Sequence, residues 1–167
     1  MEEIIDLSNA QRLIGNWARA RLIIQNGNQT TQFAKLVSEY GELNFNLAKF
    51  ESIKDDVGDC FVVCAILAEM NEIDLMEEIN NGLTTEDEWK YPAVAMASRH
   101  LGLLGDNVIK GQDIAYNLSS FMRQVIRIAS AREVVLEDAI AFAYSEIKDR
   151  KGTTLPNGTF VKEESNA

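Results

Sequence analysis

Histidine is nearly absent from this sequence: the 167 residues contain one, His100. Around His100 alone no catalytic dyad or zinc site can be built, and it is read as structural. A di-iron bundle needs two Glu-x-x-His pairs and is excluded with them. Cysteine is scarce too. Cys60 and Cys64 stand four apart in the apolar run CFVVCAILA. On a helix they share one face, where a disulfide is geometrically unfavourable, so buried free thiols in a reducing compartment are expected. No apolar run reaches the roughly 20 residues that a membrane span needs. The opening residues, MEEIIDLSNAQ, lack the basic region of a secretory signal. A cytoplasmic protein without membrane contact is the expectation. Positive charge is also in deficit, with 16 Lys and Arg against 26 Asp and Glu and a formal net charge of -10. That excess disfavours nucleic-acid binding through phosphates. It also repels a free nucleotide unless a bound cation reverses the local field.

Only two prolines and ten glycines interrupt the chain. Apolar residues recur at helical spacing, and strand alternation never persists. Ser8 and Gln11 form a capping-box pattern for a first helix that presents Leu13, Ile14, Trp17 and Ile24 and ends at Asn26-Gly27-Asn28. Thr30 or Thr31 caps a second helix with Phe33, Leu36, Val37, Tyr40, Leu43 and Leu47 on one side. A third begins near Ser52 and is apolar all round from Cys60 to Ala68, which predicts a central, buried position. After a polar break from Asn80 to Lys90, further helices are expected over roughly 92–104, 113–131 and 136–150, with Pro92 in a first turn. The fold class is therefore all-α: one helical bundle of about five or six helices over residues 1–150, followed by an irregular C-terminal tail, 151–167.

Acidic residues three apart mark two of these helices. Glu39 and Glu42 lie on the second, Asp56 and Asp59 at the start of the third. At ~100° per residue, Glu39 and Glu42 sit roughly 90° and 150° from the centre of their apolar stripe. Asp56 and Asp59 sit roughly 80° and 140° from theirs, on the same side. Antiparallel packing would bring all four to one rim, an oxygen-rich set suited to Mg²⁺ or Mn²⁺. The same spacing occurs at Glu69/Glu72, Asp74/Glu77 and Glu146/Asp149, where it reads as a solvated face.

The stretch QFAKLVSEYGELNFNLAKFESIKDDVGDCFVVCAILAEMNE, Gln32 to Glu72, resembles the MazG-like nucleoside triphosphate pyrophosphohydrolases. Their motif is E-x-x-E on one helix followed by E-x-x-D on the next. Glu39-Tyr-Gly-Glu42 matches the first half. Asp56-Val-Gly-Asp59 matches the second, with aspartate where the family often has glutamate. The tail IKDRKGTTLPNGTFVKE is also similar to the end of small phage and bacterial members. The resemblance implies Mg²⁺ ions held by Glu39, Glu42, Asp56 and Asp59, with Mn²⁺ as a possible substitute. It implies hydrolysis of a nucleoside triphosphate at the α-phosphorus to the monophosphate and pyrophosphate. It also implies a homo-oligomer, dimer or tetramer, that completes its core and pocket by pairing subunits.

Candidate phosphate contacts are Lys35, one turn before Glu39, Lys54, ahead of the aspartates, and the basic cluster Lys148, Arg150 and Lys151. Trp17 is a candidate base-stacking residue as well as a core one, and Asn71 a candidate sugar or phosphate contact as well as a helix end. The tail carries Leu155 and Phe160 between basic ends, which suggests a lid that brings Arg150 and Lys162 to the phosphates. The alternative reading is a non-catalytic all-α nucleotide-binding or protein-interaction module whose acids are a solvated surface.

Overall fold

The computed structural model describes residues 5–82 and 89–163. Eight helices and one two-stranded sheet lie among them: α1 Ala10–Ala20, α2 Ile23–Asn26, α3 Gln29–Ala48, α4 Lys54–Met70, α5 Leu75–Asn81, α6 Ala93–Lys110, α7 Ala115–Ala131, α8 Leu136–Ile147, β1 Gly152–Thr154 and β2 Phe160–Lys162. The class is all-α as expected, with more helices than the periodicity suggests. No helix of the described residues is long and apolar enough to cross a membrane.

The extra helices have local causes. The expected first helix is broken at Leu22, which adopts φ 59° between α1 and α2. The Ser8/Gln11 capping box does not form. The Asp6 carboxylate accepts from the Ser8 and Asn9 amides instead, at 2.8 and 3.1 Å. Gln11 points inward and ties α1 to the end of α4, donating to the Ile73 carbonyl at 2.7 Å and accepting from the Leu75 amide at 2.8 Å. The cap of α3 is Asn28, whose side chain accepts from Thr31 N at 2.8 Å, rather than Thr30 or Thr31. Asp74 caps α5 through Glu77 N, just before the polar stretch read from the sequence as a break; residues 83–88 of that stretch lie outside the described residues. Phe50, Glu72 and Glu133 follow the ends of α3, α4 and α7 in the left-handed region, with φ 59°, 56° and 57°. Left-handed backbone costs an L-residue about 1–2 kcal/mol, and glycine is the usual signal for it. Without that glycine the stops are hard to see in the sequence.

Helix α4 is the axis of the bundle. Every residue from Cys60 to Ala68 is buried, and α1, α3, α7 and α8 pack around it. Cys60 and Cys64 are buried and free, and burial pushes both thiols well up. Tyr40 joins α3 to α6 and α7 by donating to the Val94 carbonyl at 2.8 Å and meeting Phe121 edge-on at 5.2 Å. The tail is not irregular. β1 and β2 form an antiparallel hairpin pairing Gly152 with Lys162 and Thr154 with Phe160. The helical expectation that ran to residue 150 therefore ends at Ile147.

Helix α8 lies tightly against α4 at Gly58. A Cβ there would lie 2.3 Å from the Ala139 carbonyl oxygen and 2.7 Å from the Ala143 methyl. A backbone carbonyl cannot rotate aside as a long side chain does. Gly58→Ala is therefore expected to destabilise the fold by about 1–3 kcal/mol through overpacking. Gly102 lies in the interior of α6 with nothing within 4 Å of such a Cβ. Gly102→Ala is expected to stabilise by roughly 0.5–1 kcal/mol from helix propensity alone. Urea unfolding of both variants checks the opposite signs.

Candidate functional site

Two hydrogen bonds set the direction of α3 against α4. Gln29, at the start of α3, donates to Asn71, at the end of α4, at 2.7 Å. Asn46, near the end of α3, donates to Asp56, in the first turn of α4. The helices are thus antiparallel, and Glu39 and Glu42 come level with the first turns of α4.

A cavity of about 580 Å³ opens along this pair. Glu39, Glu42 and Asp59 line it, together with Lys35, Arg150 and Lys162. Glu39 is only 5% exposed and is ion-paired with Lys35. Three separate elements supply the cations: α3, the corner after α8, and β2. Asp56 is not part of the lining. It is 7% exposed, and both its oxygens accept from Asn46 Nδ2, at 3.1 and 3.0 Å. Three of the four expected carboxylates thus share the cavity, and the fourth stands beside them with a partner of its own.

Burial is the main cause of the charge stress here. It pushes the Asp59 carboxyl up to about 7, helped by Glu39 and Asp55 and opposed by Lys35 and Arg150. Burial also raises Asp56 and Asp55, with Glu39 adding to both; the Asn46 hydrogen bonds oppose the shift at Asp56. The acids are therefore under-neutralised, although Lys35 and Arg150 stand close by.

Among the described residues no three carboxylate, imidazole or thiol groups enclose a common point tightly enough to hold an ion as they stand. The donor chemistry nevertheless fits a hard divalent cation. Glu39, Glu42 and Asp59 offer only oxygen, and a cation between them would favour the ionised form that burial, with the neighbouring acids, disfavours at Asp59.

Trp17 also lines the cavity, held edge-on against Phe160 at 5.9 Å and capped by the Arg21 guanidinium 4.9 Å from its ring centre. Lys54, Lys151 and Asn71 are not part of the lining. The Lys54 ammonium sits 5.6 Å from the Phe142 ring. Asn71 caps α4, donating to the Leu67 carbonyl at 2.7 Å and accepting from Gln29. The Lys148 and Arg150 carbonyls accept from Arg21, at 3.0 and 2.6 Å, so Arg21 fixes the corner that presents Arg150.

Four residues of this neighbourhood escape the sequence reading. Asp55 had a signal, since it stands four before Asp59 and so shares its face. Phe160 was noted only as apolar. Gln32 and Arg21 had none, because one matters only as part of a cavity wall and the other through the distant Lys148 and Arg150 carbonyls.

The tail is pinned where it meets the cavity. Asn157 O accepts from Thr31 Oγ1 at 2.8 Å and Asn28 Nδ2 at 3.2 Å, and Thr154 Oγ1 donates to the Arg21 carbonyl at 2.7 Å. Gly158 turns the hairpin at φ 84° and packs against Gly27, where a Cβ would lie 3.0 Å from the Gly27 Cα. Thr159, Phe160 and Lys162 are thereby brought to the cavity wall.

Comparison with known proteins adds one relative. Over 77 residues the chain is 43% identical to the "Uncharacterized 18.2 kDa protein in rep-hol intergenic region" of Haemophilus phage HP1 (strain HP1c1). The match takes in 43% of this chain and 47% of that protein, so the chain spans about half the length of the relative it matches. No family model and no solved structure matches the chain.

Asp59 yields a prediction with a definite sign. Its carboxyl holds its proton more tightly in the folded chain than at its ordinary value of 3.8. Its ionisation therefore costs folding stability progressively from about pH 4 to about pH 7, fully above that range and not at all below it. Asp59→Asn removes the cost. In EDTA the variant is expected to melt higher than the parent at pH 8, with the gain fading toward pH 4. Equal shifts at both pH values in paired thermal melts would contradict the assigned burial of this charge.

Proposed function

We propose that this chain is a Mg²⁺-dependent nucleoside triphosphate pyrophosphohydrolase, converting a ribo- or deoxyribonucleoside triphosphate to the monophosphate and pyrophosphate. One observation carries the reading: Glu39, Glu42 and Asp59 share a 580 Å³ cavity with Lys35, Arg150 and Lys162. A solvated acidic face has no need of a cavity, and a simple anion site has no need of three carboxylates. Together the two sets suit a polyphosphate that arrives with a divalent cation. The motif resemblance points the same way.

Glu39, Glu42 and Asp59 would hold Mg²⁺, with Asp56 adjoining them. Such an ion supplies Lewis acidity toward phosphoryl oxygens and lowers the pKa of water. Lys35 must exchange its pairing with Glu39 for a phosphate oxygen, a move its long, exposed side chain permits. Arg150 offers a fork of donors to the leaving pyrophosphate, and Lys162 adds charge from the hairpin. Trp17 and Phe160 exclude water from the apolar end. In this scheme the docked hairpin covers the site as a lid, folding back from the Lys148–Arg150 corner that Arg21 holds.

A second reading, a nucleotide-binding module without turnover, draws on Asp56. Its oxygens are already occupied by Asn46, which leaves three carboxylates for the cavity.

Pyrophosphate release measured over the eight common nucleoside triphosphates, with Mg²⁺ and with EDTA, separates the two. Metal-dependent release is expected for at least one substrate. Glu42→Gln and Asp59→Asn are expected to lower turnover by more than about a hundredfold with the fold intact. Ending the chain at Arg150 should raise KM by about tenfold or more, the loss of one charge-assisted hydrogen bond. Nucleotide binding without release, in all conditions, would select the second reading.

Self-association belongs to the proposal as well. Val37 and Phe45 leave one face of α3 exposed, at 44% and 65%, and a second copy would cover it. Sedimentation as an 18.7 kDa monomer at micromolar concentration would speak against this.

A further inference from the structure

The cavity has two chemically different ends. The carboxylates and cations gather where Glu39, Glu42 and Asp59 are level. Gln32 lies seven residues before Glu39 on α3, about two turns or ~10 Å along the axis. Ile66 lies seven after Asp59 on α4, and the antiparallel packing puts it at the same far end as Gln32. Trp17 belongs there too, because the stretch of α1 around it, from Gly15 to Arg19, runs beside Glu69. Ile23, Ile66 and Phe160 make the walls of this end apolar.

Among the described residues, two polar groups at that apolar end have no hydrogen-bond partner. Gln32 is 6% exposed and lines the cavity, yet no described group hydrogen-bonds its side-chain amide. Trp17 Nε1 is buried, and its N–H likewise finds no acceptor. The Gln32 amide opens on the cavity, whereas the Trp17 N–H is buried, and a buried polar group left unpaired is costly. Neither group is needed to hold the fold: the cap of α3 belongs to Asn28, and the Trp17 ring is fixed by Phe160 and Arg21.

We propose that Gln32 selects the nucleobase of the nucleotide, its amide reading a donor–acceptor edge while Trp17 Nε1 donates to a ring or carbonyl acceptor. The inference rests on the cavity being a nucleotide site and adds which group chooses among nucleotides. The chemistry matches at each point. A base is planar and apolar on its faces, which suits Phe160, Ile23 and Ile66. Its edge carries neighbouring donors and acceptors in one plane, as a carboxamide does. The span of about two turns leaves room for a sugar between base and phosphates. Selectivity follows from mismatch. A base that fails to satisfy both the amide and the indole leaves a buried polar group unpaired, and sites of that kind discriminate strongly.

The test is calorimetric binding of α,β-imido nucleoside triphosphates carrying each of the four common bases, in Mg²⁺, with inorganic triphosphate as the base-free control. The parent chain is expected to prefer one base by about tenfold or more. Gln32→Met keeps the side chain's length and removes its hydrogen bonding. It should bring the four bases to within about threefold of each other and leave inorganic triphosphate unchanged. Gln32→Leu is the second variant, and thermal melts confirm that both are folded. A parent with no base preference, a preference that survives in both variants, or equal losses for nucleotides and inorganic triphosphate would each overturn the inference. Failure of the catalytic reading looks different: base-selective binding with no pyrophosphate release keeps Gln32 in its role and removes the hydrolase.

Discussion

A helix buried on all sides has nowhere to put a charge, and α4 starts with three aspartates. Asp55, Asp56 and Asp59 occupy its first two turns, and from Cys60 to Ala68 the helix is apolar and covered. The rest of the arrangement follows from this conflict. The positive end of the helix dipole favours Asp55 and Asp56 in the first turn. Asn46 satisfies Asp56 from α3. Asp59 stands one turn deeper, beyond most of that help, and its carboxyl is pushed up to about 7. Its neighbours Lys35 and Arg150 oppose the shift without cancelling it. A core helix that keeps an under-neutralised carboxylate at its edge carries a cost in stability, of the kind common where ionisable groups have a task.

The cavity exists because the elements around that edge stop short of closing it. Gly58 lets α8 lie against α4, with the Ala139 carbonyl and the Ala143 methyl in contact range. Helix α8 then ends at Ile147, and the chain turns back as a hairpin instead of continuing along the bundle. The hairpin is docked on α1–α3 by Thr31, Asn28 and Arg21, partners more than 120 residues away in sequence. Arg150 sits at the corner with its Nε buried and without a hydrogen-bond partner among the described residues. The same docking brings Phe160 to Trp17 and Lys162 to the cavity wall. Positive charge from the tail and from α3 thus meets in one place.

The all-α class, the central place of the third expected helix, and the buried free thiols were legible in the sequence. Each depends on composition or on a period of 3.6, and both are local properties. The two acidic pairs were legible as pairs for the same reason. Stops were not, because Leu22, Phe50, Glu72 and Glu133 take left-handed backbone without the glycine that usually announces it. The hairpin was hidden by its brevity: three-residue strands are too short for alternation to register.

What the sequence by itself determined is therefore which residues are available and on which helical face they lie. Glu39 and Glu42 share a face of α3 whatever that helix packs against, since backbone geometry sets their angle. Only the tertiary structure decided which groups meet. It turned Asp56 toward Asn46 and left Asp59 facing the cavity. It took Lys54 to the Phe142 ring and Asn71 to a helix end, and it brought Gln32, Arg150 and Lys162 together from three parts of the chain. Those outcomes depend on crossing geometry and on hydrogen bonds between distant segments, and no local period in the sequence encodes either one.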